Sequence, residues 1–317
     1  MRVLLFFLSM CSVGACVGPT RNSAPEPTAA GSPDGVEHLS AHPSGGVSLS
    51  ARGYELRAPS AVALRATQIQ LDSAVGRFRQ YIGEPPRISV VVFDLNGTPS
   101  AADSAWIRSR NLPGLWLPTT LGNSEGQGTE ADRVHGGQLL QQFTAHEACH
   151  TFFFAHVEEM LSGSQRAGGI AASGSAHYGH PAVPDWFDEA VAVLCERPDQ
   201  QERRRRYMAQ HLNERIPLAD FFSMPHPVAE GRAATGGSTT AEDRMRSMMQ
   251  APSGRLFYAQ ALSVVEFLAE QEGPAFVGQM ARQLARGRPM SEVLNEARRV
   301  PREMAALDAA WRARVAH

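Results

Sequence analysis

Two histidines four residues apart, with a glutamate directly after the first, constrain this chain more than any other feature. The segment reads His146-Glu147-Ala148-Cys149-His150. On a helix, positions four apart lie about 40° apart around the axis and about 6 Å apart along it. Both imidazoles can then converge on one ion at roughly 2.0–2.1 Å. Glu147, one step round, lies beside that ion without binding it, where a base takes a proton from water. The H-E-x-x-H pattern therefore asks for a buried helix as well as for zinc. Upstream, residues 138–145 carry apolar side chains at helical spacing without Pro or Gly; downstream, residues 151–160 can continue the helix and Gly163 offers a stop. The spacing predicts a helix of roughly 20 residues. The plainer alternative is a pair of histidines packed in a core.

The chain has 317 residues, enough for one large domain or two small ones. With 43% hydrophobic and 20% charged residues it can bury a sizeable core. A formal net charge of -2 gives no case for nucleic acid as a partner. Apart from His, every basic residue is Arg, and the run Arg203 to Arg206 reads as a solvated helix face.

Arg2 followed by the apolar residues 3–10 is a targeting segment, too short to span a bilayer. Val13-Gly14-Ala15-Cys16 then resembles a bacterial lipobox. Residues 1–15 are expected to be a lipoprotein signal peptide, with Cys16 left to carry lipid. The mature protein would be exported and lipid-anchored in the bacterial cell envelope (periplasm or outer membrane). Residues 16–50, rich in Pro, Gly, Ser and Ala, read as a flexible tether. Besides Cys16, the mature chain keeps Cys149 and Cys195. An oxidising compartment permits a bridge between them, although a small buried hydrophobe is the expected role of Cys149.

Folded sequence is expected over residues 51–317, in the α+β class. A small α/β part (51–137) precedes a mostly helical part (138–317), with the motif helix between them. Residues 60–82 have helical spacing in Val62, Leu64, Ile69, Leu71, Val75, Phe78 and Ile82, broken by Gly83-Glu84-Pro85-Pro86. Residues 88–95 form a buried β-branched strand that ends at Asn96-Gly97. Residues 114–120 form a weaker strand, which Pro118 pushes to a sheet edge. A Gly/Ser/Ala-rich loop over 162–181 holds His177, Tyr178 and His180; Asp185 is then the expected N-cap of a helix reaching Glu196. Further helices are expected over 200–212, 257–272, 274–286, 290–297 and 301–315, with a polar loop at 231–240.

A catalytic zinc takes three protein ligands and keeps an open position. Glu189 is one candidate for the third: it begins the helix after the Gly-rich loop and can face the first helix. His156 is the rival, ten residues after His146. Asp188 is a weaker third choice, about 100° from Glu189 around the helix.

Pro184-Asp185-Trp186-Phe187-Asp188-Glu189-Ala190-Val191-Ala192 resembles the P-x-W-x-x-E-x-x-A segment of gluzincin metallopeptidases, in particular the peptidase MA-like group. The likeness extends to Phe78-Arg79-Gln80-Tyr81-Ile82-Gly83 leading into residues 88–94, and to Arg215-Ile216-Pro217-Leu218 and Tyr258-Ala259-Gln260-Ala261. It covers most of residues 60–312, with H-E-x-x-H and W-x-x-E as its specific parts. Ala190 stands where that family often has Gly. The resemblance implies Glu189 as the third zinc ligand. His156 instead has the spacing of the metzincin motif, and Met248-Met249 would suit a metzincin Met-turn. That design needs Gly at residue 153, and this chain has Phe153. In an unbroken helix His156 lies about 15 Å along the axis from His146, so Glu189 is favoured.

The resemblance further implies a zinc metallopeptidase acting on peptide or protein substrates. Zinc on His146, His150 and Glu189 would activate water, and Glu147 would act as the base. Tyr258 matches the tyrosine that stabilises the oxyanion in the resembling aminopeptidases; a core tyrosine under Leu262 is the plainer reading. His177, Tyr178 and His180 could serve instead. The edge strand near Trp116 could pair with an extended peptide. No G-x-M-E-N-like segment supports aminopeptidase specificity. The competing class is a non-catalytic exported lipoprotein that binds peptide or envelope components, against which the intact Glu147 argues.

Overall fold

Strand β4 (Ile88–Phe93) is buried along its whole length, and the N-terminal part is built around it. The computed structural model describes residues 38–41, 46–93, 99–118, 130–161, 179–227 and 252–316. The signal peptide (1–15), Cys16, Asn96-Gly97, His177, Tyr178, the polar loop at 231–240 and Met248-Met249 lie outside the described residues. Among the described residues no helix is long and apolar enough to cross a membrane.

The sheet has five strands in the order β1-β2-β3-β4-β5. β1 (His38–Ala41), β2 (Val47–Ala51) and β3 (Tyr54–Ala58) are antiparallel neighbours. β4 joins β3 in parallel, and β5 (Gly114–Pro118) joins β4 in parallel at the edge, as Pro118 predicts. The expected tether of residues 16–50 is corrected here, because β1 and most of β2 fall inside it. Its composition hides an alternation, Val47-Ser48-Leu49-Ser50, that puts Leu49 into the core at 2% exposure. Gly53, at φ 91, makes the turn between β2 and β3 in a conformation that costs glycine little.

Strand periodicity divides β4 between two cores. Ile88, Val90 and Val92 join Leu56, Leu64, Leu71 and Phe78 in the main core. Val91 and Phe93 turn the other way, onto Trp106, Ile107 and Trp116. Helix α1 (Ala61–Tyr81) covers the first face, and its N-cap Ser60 accepts the Ala63 N–H at 3.2 Å. Helix α2 (Ala101–Arg110), which the sequence did not suggest, covers the second behind a Ser100/Asp103 capping box. Two of the seven apolar residues read at helical spacing over 60–82 point out instead: Val62 is 81% and Ile69 67% exposed. They lie seven residues apart on a single stripe, away from Leu64 and Leu71.

The helical part begins with α3 (Glu130–Met160), 31 residues long and uninterrupted through His156. It outruns the expected length because it continues upstream through Gly136-Gly137. α4 (Asp185–Cys195) is buried at every residue. α5 (Pro198–Gln210), α6 (Leu218–Phe221), α7 (Pro252–Glu272), α8 (Ala275–Leu284), α9 (Met290–Val293) and α10 (Met304–Val315) follow. The α+β class holds, with the sheet first and the helices after. α1, α3, α4 and α7 share one core through Phe78, Phe152, Val157, Val193, Leu262 and Val265. Cys149 of α3 and Cys195 of α4 form a disulfide, so Cys149 is not the free buried hydrophobe expected of it.

Candidate metal centre

One turn of α3 separates His146 from His150, and their Nε2 atoms are 3.1 Å apart. Glu189 of α4 places Oε2 3.3 Å from His146 Nε2 and 3.6 Å from His150 Nε2. These three donors lie within 4.8 Å of one another and could hold a metal ion. Glu189 is 0% exposed, and neither of its carboxylate oxygens takes part in an aligned hydrogen bond. A buried carboxylate in that state is costly unless a cation balances it.

The far sides of both imidazoles are held by carboxylates. His146 Nδ1 lies 2.9 Å from Glu196 Oε1, and His150 Nδ1 lies 2.9 Å from Asp188 Oδ2. With each Nδ1–H donating to a carboxylate, both Nε2 lone pairs face the same point. Two lone pairs and a carboxylate oxygen so placed repel one another unless a proton or a metal ion sits among them. The titration behaviour reflects that demand. Burial alone would lower the His146 pKa, but the carboxylates of Glu189 and Glu196 outweigh it and raise it to about 9. Against the same burial penalty, the charges of Asp188 and Glu189 hold His150 well above its usual value. Burial would raise Glu189, yet the neighbouring His150 and His146 keep it well below the carboxylate range.

Three more side chains close the site. Arg204 of α5 donates to both oxygens of Glu196 and lies 5.0 Å from the centre of the Tyr258 ring. Glu196 is thereby kept ionised despite its burial. Of the arginine run, Arg203 and Arg206 lie exposed as expected, but Arg204 turns inward. Tyr258 of α7 lies with its ring centre 6.0 Å from that of His146. Burial and the Glu189 charge raise its hydroxyl well above the usual tyrosine value, so it keeps its proton. His226, fully buried, sets Nε2 3.2 Å from the Tyr258 hydroxyl and 3.1 Å from Glu189 Oε1. Its backbone N–H donates to Asp185 Oδ2 at 2.7 Å, which ties this segment to the start of α4. Asp185 is consequently not the expected N-cap; Pro184 occupies that position without a side-chain bond.

The structure brings His146, His150 and Glu189 together, and puts Tyr258 beside them. Glu147 is partly buried, and its carboxylate makes no hydrogen bond or ion pair to a described residue. His156 is elsewhere, packed edge-on against Phe78 with ring centres 5.8 Å apart. Asp188 touches His150 from behind instead of joining the ligand triangle. His180 accepts the Ala182 N–H at Nδ1 and pairs with Glu158 through Nε2 at 2.9 Å, so it braces the approach to α4. Glu196, Arg204 and His226 were missed. Glu196 follows Glu189 by seven residues, two turns on along one face, a spacing that could have found it. The only sequence mark of His226 is Pro225-His226-Pro227, which favours an extended backbone.

No family model matches the chain, and neither characterised proteins nor solved structures provide a match.

Proposed function

We propose that this protein is a zinc-dependent hydrolase, in particular a metallopeptidase of the gluzincin kind acting on peptide or protein substrates. The observation that carries the reading is the ligand triangle. Its edges are 3.1, 3.3 and 3.6 Å. Tetrahedral zinc with bonds of roughly 2.0–2.1 Å needs donors about 3.3–3.4 Å apart. Two imidazoles and a carboxylate form a catalytic zinc donor set, and the buried Glu189 carboxylate fits a cation at this point. Among the described residues the metal-capable group has three members, which leaves a coordination position for substrate or water.

His146, His150 and Glu189 would hold the ion, which supplies a Lewis acid able to polarise a carbonyl and bring the pKa of water to about 7. Glu147 takes the proton from the attacking water at its carboxylate and returns it to the leaving nitrogen. It suits that task because it stands next to His146 on α3 and is only partly buried. Tyr258 keeps its proton and so acts as a hydrogen-bond donor to the developing oxyanion, not as a base. His226 orients the Tyr258 hydroxyl and backs the outer oxygen of Glu189. Glu196 and Asp188 fix the two imidazoles, and Arg204 fixes Glu196. Export and anchoring at Cys16 belong to the same proposal; the Cys149–Cys195 bridge supports them, because disulfides persist in oxidising compartments.

The test compares wild type with Glu147→Gln. Elemental analysis should find about one zinc per chain in both. Hydrolysis of a peptide library should fall by roughly 10²–10⁴-fold in the variant. Equal turnover would remove Glu147 as the base, and a wild type without zinc would end the metallopeptidase reading.

A further inference from the structure

The disulfide joins the two helices that supply every ligand. Cys149 directly precedes His150 on α3, and Cys195 directly precedes Glu196, the partner of His146, at the end of α4. Both cysteines are essentially unexposed, at 0% and 1%, with their Cα atoms 6.4 Å apart. The bridge therefore spans the same inter-helix gap as the metal site. On one side of α3 the sulfur bond holds α4; about a turn away the imidazoles face Glu189.

The two helices also meet through Phe153 of α3 and Phe187 of α4, whose ring centres are 5.8 Å apart. On the ligand side the buried Glu189 carboxylate has to be seated between the two imidazoles, with Asp188 and Glu196 behind them. A covalent link that removes the freedom of α4 to move off α3 lowers the entropy cost of bringing Glu189 to the histidines.

We infer that oxidation of Cys149 and Cys195 gates metal loading, so that the chain stays metal-poor while its thiols are reduced and completes its site only after the bridge forms. This rests on the metal-site reading above and adds its regulation. The bond forms by exchange with a disulfide-carrying oxidant, such as glutathione disulfide or a protein disulfide. The two thiols lose two electrons and two protons, the Cys149–Cys195 bond forms, the oxidant's S–S bond breaks, and two thiols leave. By linkage, whatever factor the bridge adds to metal affinity the metal adds to the bridge's resistance to reduction. A hydrolase built in this way is latent in a reducing cytoplasm and matures where disulfides persist.

The experiment measures zinc affinity of the full chain by competition with a chromophoric chelator. Three proteins are compared: oxidised wild type, Cys149→Ala/Cys195→Ala, and Leu56→Ala as a control that loosens the distant sheet. Circular dichroism confirms that each is folded at the working temperature. The bridge-free variant should bind zinc about 10-fold or more weakly, the scale of a lost outer-shell support, while Leu56→Ala binds like wild type. Zinc affinity within twofold of wild type in the folded bridge-free variant overturns the gate. So does an equal loss in Leu56→Ala, which would mark general destabilisation. A wild type that holds no zinc overturns the metal site itself, and the gate with it.

Discussion

Gly179 shows how closely the site depends on single atoms. It has φ +78, and a Cβ built there would lie 2.2 Å from Asp188 Oδ2. Asp188 is the group that holds His150 by its Nδ1. Gly179→Ala should therefore drive the carboxylate off the imidazole and lower zinc affinity about 10-fold or more. Strain at a left-handed residue would add roughly 1–2 kcal/mol of destabilisation. Chelator competition on the folded variant checks this; an unchanged affinity would mean that Asp188 can yield without losing His150. At this scale the three candidate ligands were legible and their supports were not. His146 and His150 follow from helical spacing alone. Glu189 needs the resemblance of its W-x-x-E segment as well as the assumption that two helices face each other. His226 reaches the same point from 37 residues beyond Glu189, through a proline-flanked segment, and no local pattern encodes that distance.

Helix α3 decides between the two candidate third ligands because it does not break. Phe153 sits where a helix-ending glycine would be needed, and the helix runs on to Met160. His156 then faces Phe78 of α1, far along the axis from the metal triangle. Glu189→Ala should abolish tight zinc binding, while His156→Ala should keep it and lose roughly 0.5–3 kcal/mol of stability through packing alone. Zinc loss in His156→Ala with zinc kept in Glu189→Ala would reverse the assignment. The same elements show what a sequence carries well. Long periodic helices such as α3 and α7, and a β-branched strand such as β4, announce themselves because many residues repeat one demand. β1 and β2 do not. They are four and five residues long, and a Gly/Ser-rich composition masks an alternation only two apolar residues deep. α2 is short and Ala/Ser-rich, and Trp106 and Ile107 are its only buried residues.

The molecule as a whole concentrates negative charge around the candidate metal site. Three carboxylates, on Asp188, Glu189 and Glu196, gather about two imidazoles, and Arg204 pairs with Glu196. Without metal, protons must supply the missing positive charge, which links stability to pH. His146 has a folded-state pKa of about 9 against an ordinary 6.5. A raised pKa contributes stability that is fully present below the unfolded value and lost as pH rises through the folded value. The metal-free protein should thus lose stability between pH 6.5 and about 9, by about 3 kcal/mol from His146, with His150 adding in the same direction. Glu189 and Glu196 are shifted downward, so their contribution is present above their ordinary value and lost in acid. With zinc bound, the imidazoles are already deprotonated and the ion replaces their charge, so the alkaline loss should vanish. Thermal midpoints at pH 6.5, 7.5 and 9, with zinc and with a chelator, test this. The chelated protein should fall by several degrees across that range while the zinc-loaded protein holds level. A flat profile without metal would mean that the histidines are not carrying the protons that this arrangement of charges requires. Parallel declines in both samples would place the titrating groups outside the ligand triangle.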